Sequence, residues 1–177
     1  MNDSKFTVYV IVVTYNGIKW IKNCLNSIVN SSIESKTIVI DNCSNDGTVE
    51  LIKTQFPWVQ ILEMKKNLGF GAANNIGMKR ALEKNSDYIF LLNQDAYIEN
   101  NTIENLISIH NRNLNYGILA PLRRTSEKFL ENHILLNIVQ KNCQKLLSDA
   151  LLRNSVDDVY SIDYVGAAAW LISIFML

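Results

Sequence analysis

The sequence predicts an α/β fold built on a largely parallel sheet, and three observations carry that prediction. Strand-like and helix-like segments alternate from residue 8 to residue 121. The first apolar run, Val8 to Val13, is nearly continuous, as suits a strand covered on both faces. Hydrophobic residues make up 48% of the 177 residues and charged residues 19%, enough for one sizeable core. Right-handed crossovers then place helices on both faces of the sheet.

Each element follows in order. After the first strand, Ile21, Cys24, Leu25 and Ile28 share one face of a helix. Thr37 to Ile40 forms a second strand that ends at Asp41. Ser44-Asn45-Asp46-Gly47 is a turn cluster in which Asn45 or Asp46 caps a short helix running to about Gln55. Pro57 closes that helix, and Val59 to Met64 forms a third strand. Lys65 to Gly77 reads as a loop feeding a helix that reaches about Glu83. Tyr88 to Leu92 is a fourth strand, ending in Asn93-Gln94-Asp95. A helix with Ile103, Leu106 and Ile107 on one face follows, then a fifth strand, Ile118 to Ala120, stopped by Pro121.

The later part changes character. Val139, Cys143, Leu146, Leu147 and Ala150 form a helical stripe uninterrupted by any strand, read as a helical insertion or flap. A last strand is expected at Ile162 to Val165, leading into the Ala-rich segment Gly166 to Trp170. The expected organisation is a donor-side α/β domain over 1–124, the insertion over 125–158, and the start of a further segment over 159–177.

Composition narrows the function classes. Lys plus Arg and Asp plus Glu number 17 each and the pI is near 6.7, so no basic excess points to nucleic acid. Cys24, Cys43 and Cys143 are odd in number and widely spaced, which fits free thiols in a reducing compartment. The first residues run straight into a strand without a secretory signal, so a cytoplasmic location is expected. Val165 to Leu177 is shorter than the ~20 residues of a spanning helix and reads as core, and membrane contact is expected to be peripheral at most. The apolar end, Phe175-Met176-Leu177, reads as that of a fragment. Nothing in the sequence bears on oligomeric state.

In an open parallel sheet a ligand sits beyond the carboxyl ends of the strands. Thr14-Tyr15-Asn16, Asp41-Asn42, the loop from Lys65 to Gly71, and Asn93-Gln94-Asp95 all fall there. Asp41 either accepts hydrogen bonds from a nucleobase or ribose, or closes an Asx-turn with Asn42 and Ser44. Asp95 either bridges a hard divalent ion to diphosphate oxygens, or caps the helix starting near Thr102. Gly69-Phe70-Gly71 is a partial dinucleotide fingerprint in the wrong place, after the third strand, and reads as a close-approach loop before a helix start. Gly71, Ala72, Ala73 and Gly77 are also small enough for tight helix-to-sheet packing.

Four segments occur in order: Val12 to Asn16, Asp41 to Thr48, Asn67 to Gly77, and Leu91 to Ala96. This set resembles a family 2 glycosyltransferase of the GT-A fold, in the branch that includes rhamnosyltransferases of bacterial surface polysaccharides. The resemblance covers residues 7 to about 121 and, more loosely, 160 to 175. It implies a Rossmann-like, mostly parallel sheet flanked by helices, with a helical insertion. It implies that Thr14, Tyr15 and Asn16 line the nucleotide pocket, with Tyr15 stacked on the base, and that Asp41 binds the base or ribose. Asn67, Gly69 and Asn74 would lie beside the nucleotide and donor sugar. Asn93, Gln94 and Asp95 stand at the DxD-type motif, with Asp95 as the ligand of a divalent metal, Mn or Mg. The motif departs from the pattern, since Tyr97 occupies the place of a second Asp.

The resemblance implies inverting transfer from a nucleoside-diphosphate sugar to a saccharide or lipid-linked acceptor. The catalytic base of such enzymes lies downstream of a segment like Gly166-Ala167, which places it beyond Leu177; Asp157 and Asp158 lie upstream and are poor candidates. A nucleotidyltransferase would carry a Gly- and basic-rich phosphate loop after the first strand, where Thr14-Tyr15-Asn16-Gly17 stands. A nicotinamide-dependent oxidoreductase would need its Gly fingerprint at the same place. A nucleotide-binding module without complete catalytic machinery is the third alternative.

Overall fold

The computed structural model describes residues 6–122, 157, 159–161, 166 and 168–174. The chain divides into two compact units, Met1–Leu119 with Ala167–Leu177, and Ala120–Gly166. The first holds ten described elements: β1 (Val8–Thr14), α1 (Ile21–Val29), β2 (Lys36–Asp41), α2 (Thr48–Gln55), β3 (Gln60–Glu63), α3 (Phe70–Leu82), β4 (Tyr88–Asn93), α4 (Thr102–Arg112), β5 (Ile118–Leu119) and β6 (Ala169–Ser173). Of the second, Ala120 to Leu122, Asp157, 159–161 and Gly166 are described. The expected helical stripe from Val139 to Ala150 and the expected strand Ile162 to Val165 lie outside the described residues.

The strand order is β3-β2-β1-β4-β6-β5. β1 pairs in parallel with β2 and β4, and β2 with β3, whereas β6 runs antiparallel between β4 and β5. This is the mostly parallel α/β sheet that the alternating pattern predicts. Pleating divides the buried strand residues between two cores. Val8, Val10 and Val12 face α1, α2 and α4, meeting Ile21, Leu25, Ile52, Ile103 and Leu106. Tyr9, Ile11 and Val13 face α3, meeting Ala73 and Ala81. Each fully buried Leu or Ile contributes about 1.5–3 kcal/mol, and this double coverage is why β1 is buried at every position.

Two elements differ from the sequence reading. The segment from Lys65 to Gly77 is loop only as far as Gly69. Gly69 breaks the chain at φ 82, ψ 162, and the Ala73 N–H then bonds the Gly69 carbonyl at 3.2 Å to close the first turn of α3. The short, amide-rich side chains that read as turn chemistry lie in that helix. Ala73 and Gly77 pack on the sheet, while Gly71 and Ala72 face solvent. A Cβ on Gly77 would stand 2.4 Å from Ile11 Cγ2, so this glycine sets how closely α3 approaches β1. The second difference is β6, in the Ala-rich stretch where no strand is expected. It owes its order to ladder partners on both sides, a non-local effect. Its alternate residues Ala169, Leu171 and Ser173 are buried. No helix among the described residues is long and apolar enough to cross a membrane.

Candidate functional site

The register brings the carboxyl ends of three strands level. Thr14 of β1 stands opposite Asp41 of β2, and Val13 opposite Asn93 of β4. The ladder continues past the strands, the Asn42 N–H donating to the Thr14 carbonyl at 2.7 Å and the Met64 N–H to the Asp41 carbonyl at 2.8 Å. Beyond this rim lies a cleft of about 370 Å³ lined by Val13, Tyr15, Asn42, Asn67, Gly69, Phe70, Asn93, Gln94 and Asp95. Its size and its mixture of apolar walls with a few polar groups suit a small-molecule site.

Six of the ten residues singled out in the sequence meet in this cleft: Tyr15, Asn67, Gly69, Asn93, Gln94 and Asp95. Tyr15 leaves the end of β1 with its side chain largely exposed, and Phe70 at the start of α3 is exposed to the same degree. The cleft therefore carries two accessible rings able to cover the flat face of a base or the C–H face of a sugar.

The other four lie behind the lining. Thr14 is fully buried, and its hydroxyl donates to Gln94 Oε1 at 2.7 Å. Asn16, held at φ 49, receives the Asn45 N–H on Oδ1 at 3.0 Å and donates its own N–H to Ser44 Oγ at 2.9 Å. Asn74 is buried with its amide donating to the Phe70 carbonyl at 3.0 Å. Asp41 closes an Asx-turn, Oδ2 accepting the Ser44 N–H at 3.0 Å. Its Oδ1 is buried and has no hydrogen-bond partner among the described residues, so one oxygen holds the turn and the other is an acceptor in need of a donor.

Three lining residues, Val13, Asn42 and Phe70, fall in segments the sequence marks but are given no ligand contact there. Val13 is the last core residue of β1 and gave no polar signal. Asn42 was visible as the polar end of β2, but its reach into the cleft depends on a loop from β3. Phe70, flanked by Gly69 and Gly71, offered a readable sign: an aromatic between two glycines has room on both sides to meet a ligand.

Asp95 is exposed at the cleft edge and, among the described residues, is the only charged one lining it. It does not cap α4, whose N-cap is Asn101. Beneath the rim, the Cys24 thiol points at the Asn93 carbonyl at 3.5 Å. Its pKa is pushed up to about 12 by burial and, secondarily, by the Asp95 carboxylate, so it stays protonated and inert. Among the described residues no group of three or more His, Cys, Asp or Glu forms a preassembled metal centre. Gln94 is turned toward β1, with Oε1 accepting the Tyr15 N–H at 3.0 Å and Nε2 donating to the Tyr15 carbonyl at 3.3 Å. The donor set fits one arrangement, an ion held by the lone Asp95 carboxylate with ligand oxygens and water completing its shell.

Comparison with known proteins gives concordant results. The Glycosyl transferase family 2 model matches residues 9–170. The SPbeta prophage-derived glycosyltransferase SunS of Bacillus subtilis strain 168 is 31% identical over 138 residues, 78% of this chain and 28% of that protein. The dTDP-rhamnosyl transferase RfbF of Shigella flexneri is 32% identical over 117 residues, 65% of this chain and 38% of that protein. The chain thus spans well under half the length of these relatives. Among solved structures, the mannosyltransferase PcManGT from Pyrobaculum calidifontis, in complex with GDP-Man and Mn2+, superposes with a TM-score of 0.70 at 17% identity, covering 97% of this chain and 45% of that one. S. aureus TarS 1-349 in complex with UDP-GlcNAc gives a TM-score of 0.62 at 20% identity, covering 77% of this chain and 39% of that one. At these identities the structural likeness speaks to the fold.

Proposed function

The chain belongs to glycosyltransferase family 2 and has its α/β GT-A fold, and from that premise we propose that the cleft at the carboxyl rim binds a nucleoside-diphosphate sugar for transfer to an acceptor hydroxyl. The observation that carries the reading is the convergence of Tyr15, Asn67, Gly69 and Asp95, delivered by three separate strand ends, on one cleft. The names of the relatives support a donor of this class: RfbF is a dTDP-rhamnosyl transferase, and TarS and PcManGT have been solved with UDP-GlcNAc and GDP-Man. A thymidine-linked deoxysugar donor, and a saccharide or lipid-linked acceptor met at the cytoplasmic face of a membrane during surface-glycan assembly, complete the proposal.

In this reading Tyr15 stacks on the base, and Asp41, behind the lining, holds the turn that follows β2 through the Ser44 N–H. Gly69, lacking a side chain, lets the backbone approach the donor. Asp95 holds a divalent ion, Mn or Mg, which when bound neutralises charge on the leaving diphosphate. Among the described residues the cleft lining holds no Lys or Arg, and in this reading the ion supplies compensation for a bound diphosphate. Transfer proceeds with inversion: the acceptor oxygen attacks the anomeric carbon on the face opposite the departing nucleoside diphosphate. With Asp95 assigned to the ion, the described lining residues include no other carboxylate to take the acceptor's proton.

A second reading, nucleotide-sugar binding without turnover, draws on that lone carboxylate. Calorimetry with uridine, thymidine and guanosine diphosphates, with and without Mn2+, tests the shared premise. Binding of one of them, strengthened by Mn2+, is expected, and no binding of NAD. Failure of all three to bind overturns both readings. Sugar transfer by this 177-residue chain would favour the first reading, and binding with no transfer the second.

A further inference from the structure

Asn42 is almost wholly buried at the end of β2, and its side chain reaches across to the loop that precedes α3. Its Oδ1 accepts the Leu68 N–H at 2.8 Å, and its Nδ2 donates to Asn67 Oδ1 at 2.9 Å. Asn67 Oδ1 also accepts the Gly69 N–H at 2.8 Å. The two backbone N–H groups can only donate, so they dictate which end of each amide is oxygen. Leu68 N–H forces Asn42 to present Oδ1 to the loop, which turns its Nδ2 toward Asn67. Asn67 must answer both that donor and the Gly69 N–H with its own oxygen. Its amide nitrogen is thereby left over, on an exposed side chain that lines the cleft.

We infer that Asn42 is a positioning residue: it orients the Asn67 amide so that the Asn67 NH2 donates to an oxygen of the bound nucleotide sugar. This rests on the reading of the cleft as a nucleotide-sugar site. The direction of the amide matters because an oxygen at the same place would repel the acceptor-rich diphosphate or sugar. With an acceptor in place of the Asn42 donor, the Asn67 oxygen, still held by the Gly69 N–H, faces a second oxygen, and that repulsion displaces the amide from the position that aims its NH2 into the cleft.

The test uses the full chain with uridine, thymidine and guanosine diphosphates and Mn2+, continuing with whichever binds. Asn42→Asp is expected to weaken binding about tenfold, in line with one lost charge-assisted hydrogen bond. The same substitution made on an Asn67→Ala background is expected to have little further effect. Charge repulsion or a merely structural role of Asn42 would persist on that background, and such an additive loss overturns the proposal. In wild-type protein, with diamagnetic Mg2+ in place of Mn2+, the side-chain NH2 resonances of Asn67 are expected to shift on saturation with the nucleotide, and their staying in place also overturns it. Should Asn42→Asp not fold by circular dichroism, Asn42→Ala, which removes the donor to Asn67, takes its place in the same cycle. Absence of nucleotide binding by the wild-type chain overturns the reading of the site itself, whereas binding unaffected by either Asn42 variant overturns only the role given to Asn42.

Discussion

Thr14 and Gln94 meet across the carboxyl rim, the hydroxyl donating to Oε1 at 2.7 Å from a fully buried position. The same glutamine brackets the Tyr15 backbone, accepting its N–H and donating to its carbonyl. Gln94 therefore behaves as one more rung between the ends of β1 and β4, and it sets the distance between the Tyr15 ring and Asp95. Gly17 leaves room for it, since a Cβ there would stand 2.3 Å from Gln94 Oε1.

Gln94→Leu leaves the Thr14 hydroxyl and the Tyr15 N–H without their acceptor, so a loss of about 1–3 kcal/mol in urea denaturation is expected. Nucleotide affinity falls with it. Gln94→Glu keeps the acceptor and should recover most of the stability but not the affinity, because a second negative charge then lies beside Asp95.

Asp95→Asn removes the only charge that the described residues bring to the cleft lining. Affinity for the nucleoside diphosphate without Mn2+ is expected to hold or rise slightly, while the strengthening by Mn2+ disappears. Paired calorimetric titrations read this directly, and an undiminished Mn2+ effect would place the ion elsewhere.

Tyr15→Ala and Phe70→Ala each remove a ring that is about half exposed, 47% and 46% respectively. Stability should stay within about 0.5 kcal/mol. Nucleotide or nucleotide-sugar affinity should drop several-fold for each, with Tyr15 mattering for the nucleotide alone and Phe70 only when the sugar is present.

Gly77→Ala drives a methyl into Ile11 Cγ2 at the centre of the sheet. Overpacking of this kind costs about 1–3 kcal/mol. The double variant with Ile11→Leu, which has no branch at Cβ and so lacks that Cγ2 methyl, should recover part of that loss, measured by thermal or urea unfolding.

Cys24 and Cys43 should part company in thiol labelling. Cys43 is exposed, and Cys24 is buried with its pKa pushed up to about 12. Peptide mapping after mild alkylation at pH 8 is expected to find Cys43 modified and Cys24 intact until denaturant is added. The folded pKa of Cys24 lies above its ordinary 9.0, so above about pH 9 the unfolded chain sheds a proton that the folded chain keeps. Stability therefore declines from about pH 9 toward pH 12. Cys24→Ser should flatten that decline.

Much of this was legible in the sequence because the signals are local. The α1 stripe of Ile21, Cys24, Leu25 and Ile28, and the α4 stripe of Ile103, Leu106 and Ile107, are the faces that become buried. The cleft lies where parallel topology puts it, so strand ends alone pointed to Tyr15, Asn67 and Asp95. The misses arise where a residue's meaning depends on something distant or on direction. β6 exists because β4 and β5 flank it. Thr14 and Tyr15 are neighbours, yet one turns into the core and the other into the cleft. Of the two capping side chains the sequence offered before α2, Asn45 and Asp46, it is Asp46 whose Oδ1 accepts the Thr48 N–H at 3.1 Å, although the N-cap position itself belongs to Gly47 at φ 89.

Of the five positive-φ residues among the described ones, Asn16, Cys43, Gly47 and Gly69 cluster in the turns that leave β1, β2 and the loop before α3, and Asn85 lies elsewhere. Handedness is thus a limited resource at this edge of the molecule. Any mutational library aimed at re-tuning ligand choice here will find Asn16 and Gly69 nearly immovable for reasons of backbone chirality, and its productive variation will come from Tyr15, Asn67 and Phe70, whose main chain any amino acid can adopt.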